Sequence, residues 1–82
     1  MAASEVDLKI VELTFDLDKE AYLRGKNDEN IYYFQDKSFV KSISIVYDKQ
    51  DVPHLEVIGT EDTIETLKEV IEYHMSFYEK HH

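Results

Sequence analysis

From Thr60 onward the apolar residues Ile64, Leu67, Val70, Ile71, His74, Met75 and Tyr78 recur at helical spacing and form one broad stripe. Such a stripe must be buried against another layer, so this segment constrains the fold more than any other. Thr60 is placed to cap the helix, and Glu61, Asp62 and Glu65 put negative charge at its positive end. Lys80, His81 and His82 suit the opposite end of the dipole; the closing His pair is assigned no role. The expected length is about 19 residues, with about two residues of play at each end.

Upstream, LKIVELTFDL (Leu8 to Leu17) reads as a strand. Leu8 and Ile10 share one parity and Leu13, Phe15 and Leu17 the other, which predicts a phase slip near Val11, read as a bulge. Asp18 is expected to cap a short helix, DKEAYLR, that Gly25 terminates. Lys26, Asn27 and Asp28 form a tight polar loop, and a second helix starts at Asp28 or Glu29. Ile31 and Phe34 face one side of it. A strand follows from Val40, with Ile43, Ile45 and Tyr47 alternating against Ser42 and Ser44. DKQD (Asp48 to Asp51) is a charged turn, Pro53 opens the next strand and Gly59 closes it.

The order is therefore β-α-α-β-β-α, an α+β domain with a three-stranded antiparallel sheet and three helices on one face. With 82 residues, one domain spanning 1–82 is expected. The absence of cysteine rules out disulfides and thiolate metal sites. No apolar run approaches the ~20 residues that cross a bilayer, and MAASEVDLK lacks a secretory pattern, so the expected setting is cytoplasmic or nuclear.

The segment from Lys19 to His74 resembles a type I KH domain, a reader of single-stranded nucleic acid, and is similar to the KH repeats of the fragile X protein family. The resemblance rests on Gly25-Lys26-Asn27-Asp28 in the place of the G-x-x-G loop, with Ile31 at the matching distance. It rests also on Ser38-Phe39-Val40 in place of Ser-Gly-Val, and on VPHLEVIGTEDTIETLKEVIEYH as the last strand, turn and helix. The departures are Asp28 for the second loop glycine, Arg24 for the preceding apolar residue, and Phe39 for the glycine after Ser38. In an intact loop the glycines let backbone N–H groups approach phosphates closely. Asp28, with Glu29 beside it, is expected to bring negative charge to that place, which Lys26 and Arg24 offset in part without restoring the lost backbone contact.

Nine basic residues stand against eighteen acidic ones, a net charge of −9, and the basic residues are scattered. Nucleic-acid affinity rests largely on Lys and Arg displacing counterions, so this balance opposes it. The resemblance therefore implies a KH-like module with an impaired loop, meeting a protein partner or a second copy of itself, with RNA binding weak or absent. The alternative is a weak single-stranded RNA reader using Arg24, Lys26, Lys37 and Lys41. Another small α+β regulatory fold is a third possibility, and two short helices before the second strand are the distinguishing feature.

The candidate partner surface is Arg24, Tyr32, Tyr33, Phe39, Lys41 and Ile43, beside the loop Gly25–Asp28. Phe34 is expected in the core and one of Tyr32 and Tyr33 in solvent. His74 is expected to pack rather than ligate, because His54 is the only other internal histidine. Neighbouring carboxylates such as Asp16/Asp18 and Glu61/Asp62 follow from an acidic composition. No nucleophile–base set accompanies them, so no enzyme activity, cofactor, metal or small-molecule substrate is expected.

Overall fold

A computed structural model describes residues 7–81, with side chains through residue 78. Residues 1–6 and His82, and the side chains of Lys80 and His81 expected at the end of the last helix, lie outside the described residues. The elements are β1 (Lys9–Leu13), α1 (Glu20–Arg24), α2 (Glu29–Ser38), β2 (Ser42–Tyr47), β3 (Pro53–Gly59) and α3 (Glu61–His81). Single 3-10 turns, Leu17–Lys19 and Lys26–Asp28, lead into α1 and α2. The order is the expected β-α-α-β-β-α, with two helices before β2.

The sheet runs β1-β3-β2, and both pairings are antiparallel. Val57 lies between Val11 and Ile43, and Leu55 between Leu13 and Ile45. Because side chains alternate along a strand, these residues share one face. Leu23 of α1, Ile31 and Phe34 of α2, and Ile64 and Leu67 of α3 complete the core on that face. Full burial of each large side chain there contributes roughly 1.5–3 kcal/mol.

β1 departs from expectation. It is shorter than Leu8 to Leu17, and its register against β3 is one-to-one from Lys9 to Leu13, with no bulge. Val11 and Leu13 point to the core, while Leu8 and Ile10 are more than half exposed. The parity break comes from apolar residues left on the open face, which folded proteins tolerate. Asp18 does not cap α1 either: it lies inside the first 3-10 turn, and Lys19 holds the cap position without a side-chain bond. β2 starts at Ser42 rather than Val40, which is buried in the preceding passage.

The junction of β3 and α3 follows the sequence closely. Thr63 N–H donates to Thr60 Oγ1 at 3.2 Å, and Thr60 N–H donates back to Thr63 Oγ1 at 2.9 Å. This reciprocal cap satisfies backbone donors that a helix start leaves orphaned. Gly59 makes room for it, since a Cβ there would lie 2.6 Å from Thr63 Oγ1. α3 is 21 residues long. Among the described residues no helix is long and apolar enough to cross a membrane.

Candidate functional site

α1 is only five residues long and ends at Gly25, whose N–H donates to Ala21 O at 2.9 Å. Gly25 has φ 73° and ψ −177°, a region open essentially to glycine alone. The next turn is unusual as well. Asn27 and Asp28 both adopt the left-handed conformation, at φ 55° and 61°. Asn and Asp are among the non-glycine residues that enter it most readily. Two such residues in succession bring the chain back toward the end of α1.

That reversal sets Asp28 against Arg24. Arg24 Nε donates to Asp28 Oδ1 at 2.8 Å and Nη2 donates to Oδ2 at 3.2 Å. Nη1 donates to Glu20 Oε2 at 2.8 Å. The guanidinium beside Asp28 holds its carboxyl below the usual range. Asp28 first, then Glu20 and Tyr47, hold Arg24 even more firmly in its charged form. The partial offset expected from Arg24 takes the form of a direct two-bond pair, and Asp28 is held by the neighbour that also departs from the loop pattern. The planar fork of arginine matches a carboxylate in two bonds, a geometry lysine cannot supply.

Beneath the loop sits a polar node. Asn30 Nδ2 donates to Tyr22 O at 3.0 Å, and His74 Nε2 lies 3.3 Å from the same oxygen. The His74 ring stacks on Tyr22 with centroids 4.7 Å apart and meets Phe34 edge-on at 5.2 Å. His74 is therefore the packing residue expected, and it ties α3 to the base of the loop. Asn30 also leaves no room at Gly25, where a Cβ would lie 2.7 Å from its Nδ2.

The proposed surface residues separate into two settings. Tyr32 is 69% exposed and Phe39 is 80% exposed, and Lys26 and Lys41 are exposed. Tyr33 is exposed too, so both tyrosines face solvent rather than one. Ile43 is different: it lies in the core and supports the sheet from within. Phe34 is fully buried, as expected.

Phe39 terminates α2 in the left-handed region, φ 66° and ψ 17°, with its N–H donating to Gln35 O at 3.0 Å. The neighbouring Ser38 hydroxyl is buried and donates to Phe34 O at 2.7 Å. The backbone path that suits glycine is thus kept while the residue is phenylalanine. A side chain in that region costs about 1–2 kcal/mol. The ring recovers little of it through packing.

A groove of about 510 Å³ runs between α2 and α3, lined by Tyr33 and Lys37 on one side and by Val70, Tyr73 and Phe77 on the other. The Lys37 ammonium lies 5.8 Å from the centre of the Tyr33 ring. This groove was missed by the sequence reading, which followed the core stripe of α3. Val70, Tyr73 and Phe77 fall at i, i+3 and i+7, a second stripe beside the first, and that spacing is the signal that reveals it.

Among the described residues no group of three or more His, Asp or Glu side chains is placed to hold a metal ion. No protein-family model matches the chain, and no curated protein matches it.

Proposed function

We propose that this chain is a non-enzymatic KH-like module of an RNA-regulating protein that works mainly through protein contacts, either with a partner or with a second copy. The observation that carries the reading is the occupation of Arg24 by Asp28 and Glu20. A phosphate approaching the loop would compete with two carboxylates for that cation, in a chain of net charge −9. The element order and the antiparallel β1-β3-β2 sheet are compatible with the KH resemblance. Phe39 adds support, because strain retained beneath an exposed aromatic ring is a mark of a functional surface. The setting proposed is the cytoplasm or nucleus.

A second reading, weak binding of single-stranded RNA, is favoured by the exposure of Tyr32 and Phe39 together with Lys26 and Lys41. Aromatic rings beside cations are what unstacked bases use. Titration of a labelled single-stranded RNA at low and at physiological salt separates the two. The first reading expects no saturable binding at physiological salt. Tight binding with a steep salt slope, lost in Lys26→Glu, would establish the second.

A further inference from the structure

The groove between α2 and α3 shares Tyr33 with the surface beside the loop and reaches Asn30 and His74 beneath it, and its chemistry is specific. Tyr33 faces Val70, Tyr73 and Phe77 across it, and the polar side chains of Asn30 and His74 also line it. Tyr73 and Phe77 stand at 87° to one another with ring centroids 5.0 Å apart. Tyr73 is 68% exposed, so its ring is offered to solvent along most of its surface.

The margins are acidic on both sides. On α2, Glu29 and Asp36 are exposed and fall on the same helical face as Tyr33, at i−4 and i+3. On α3, Glu65 and Glu69 are exposed and lie four residues apart, on one helical face. Glu69 itself lines the groove, and Glu65 is shared with Lys68 at 3.5 Å. Among the described residues the cation that lines the groove is this chain's own Lys37, set over the Tyr33 ring. That contact is an internal example of what such walls attract: an ammonium above an aromatic face.

We infer that the α2/α3 groove is a docking site for a basic amphipathic helix of a partner protein. Its apolar face would lie on Val70, Tyr73 and Phe77, and its Lys or Arg side chains would reach the flanking carboxylates. A helix fits because the groove follows two helices side by side, and apolar anchors at i, i+3, i+4 and i+7 match such a trough. Opposite charge at the rim sets partner choice and association rate, while the aromatic floor supplies the hold. An acidic partner or a nucleic acid would meet like charge along both margins. The inference rests on the protein-contact reading above and adds to it the place and the chemistry of the partner.

The test is a titration of the full chain, isotope-labelled for NMR, with a synthetic helix bearing Leu and Trp on one face and Lys on the other. An acidic twin carries Glu in place of Lys, and a single-stranded RNA forms a third arm. The expected result is saturable binding of the basic helix, with shift changes at Tyr33, Val70, Tyr73 and Phe77. Tyr73→Ala, at an exposed position, weakens it about tenfold. Glu69→Lys weakens it about fivefold, and the effect shrinks as salt rises. Equal binding of the acidic twin overturns the inference, as do shifts confined to the Phe39 surface. So does a dimer held through this groove and released by Tyr73→Ala. Absence of peptide binding while RNA is also ignored overturns this inference alone. RNA-induced shifts at Gly25–Asp28 overturn the protein-contact reading itself.

Discussion

Replacing Phe39 with glycine should stabilise the fold relative to replacing it with alanine. Phe39 sits at φ 66° and ψ 17° with 80% of its surface in solvent. Alanine keeps the Cβ and therefore the left-handed strain, about 1–2 kcal/mol. Glycine removes that strain but gives about 0.5–1 kcal/mol back through the freedom of its unfolded chain. The Phe39→Gly variant should thus exceed Phe39→Ala by about 0.5–1 kcal/mol. For a domain of this size that is a rise in Tm of roughly 2–8 °C. Both variants lose the same ring, of which only about a fifth is covered, a loss of roughly 0.3–0.6 kcal/mol in each. Urea unfolding followed by circular dichroism measures the difference, with unchanged m-values as the check that only stability moved. If glycine is no more stable than alanine, the conformation is not strained as argued. If both variants fall by more than about 1.5 kcal/mol, the ring is a structural element and its value as a sign of function disappears.

Gly25→Ala should destabilise the chain by about 2–3 kcal/mol, since both the dihedrals and Asn30 exclude a Cβ; a urea midpoint within error of the parent would refute the loop geometry. Thr60→Ala should cost about 1 kcal/mol through loss of the reciprocal cap with Thr63, read from thermal unfolding. Acid should weaken the fold through two carboxylates. Asp28 is held below its ordinary value by Arg24, and Asp48 chiefly by His54 and then by the Val52 N–H. A lowered folded pKa means that the unfolded chain binds more protons. The stability is then present above the ordinary carboxylate range, near pH 3.8, and is lost as pH falls through the lowered values. Urea midpoints measured between neutral and acid pH should fall less steeply in an Asp28→Asn, Asp48→Asn double variant than in the parent, and identical slopes would remove these two groups from the account.

Much of the chain is determined by local chemistry. The α3 stripe, the Thr60 cap, Pro53 at the head of β3 and the stop at Gly25 each depend on residues within a few positions. Their physical causes are helical period, a side-chain oxygen near free N–H groups, a missing donor and a missing Cβ, and each is legible along the sequence. Other features depend on pairing across distance. Val11 and Leu13 became the inner face of β1 only through their registry with Val57 and Leu55. Ile43, a plausible groove residue by alternation, was drawn into the core by the helices above it. His74 meets Tyr22 from 52 residues away. The Arg24–Asp28 pair is the clearest case. Its four-residue spacing suggests neighbours on a continuous helix, but the helix stops between them, and only the two left-handed residues of the turn return the carboxylate to the guanidinium. The sequence by itself therefore settled the order and type of the elements, though not the extent of β1 or the cap of α1, because those choices are made largely within one or two turns of chain. Only the tertiary structure decided which charges are free and which aromatic faces stay open, because neutralisation and burial depend on what the fold sets opposite each side chain.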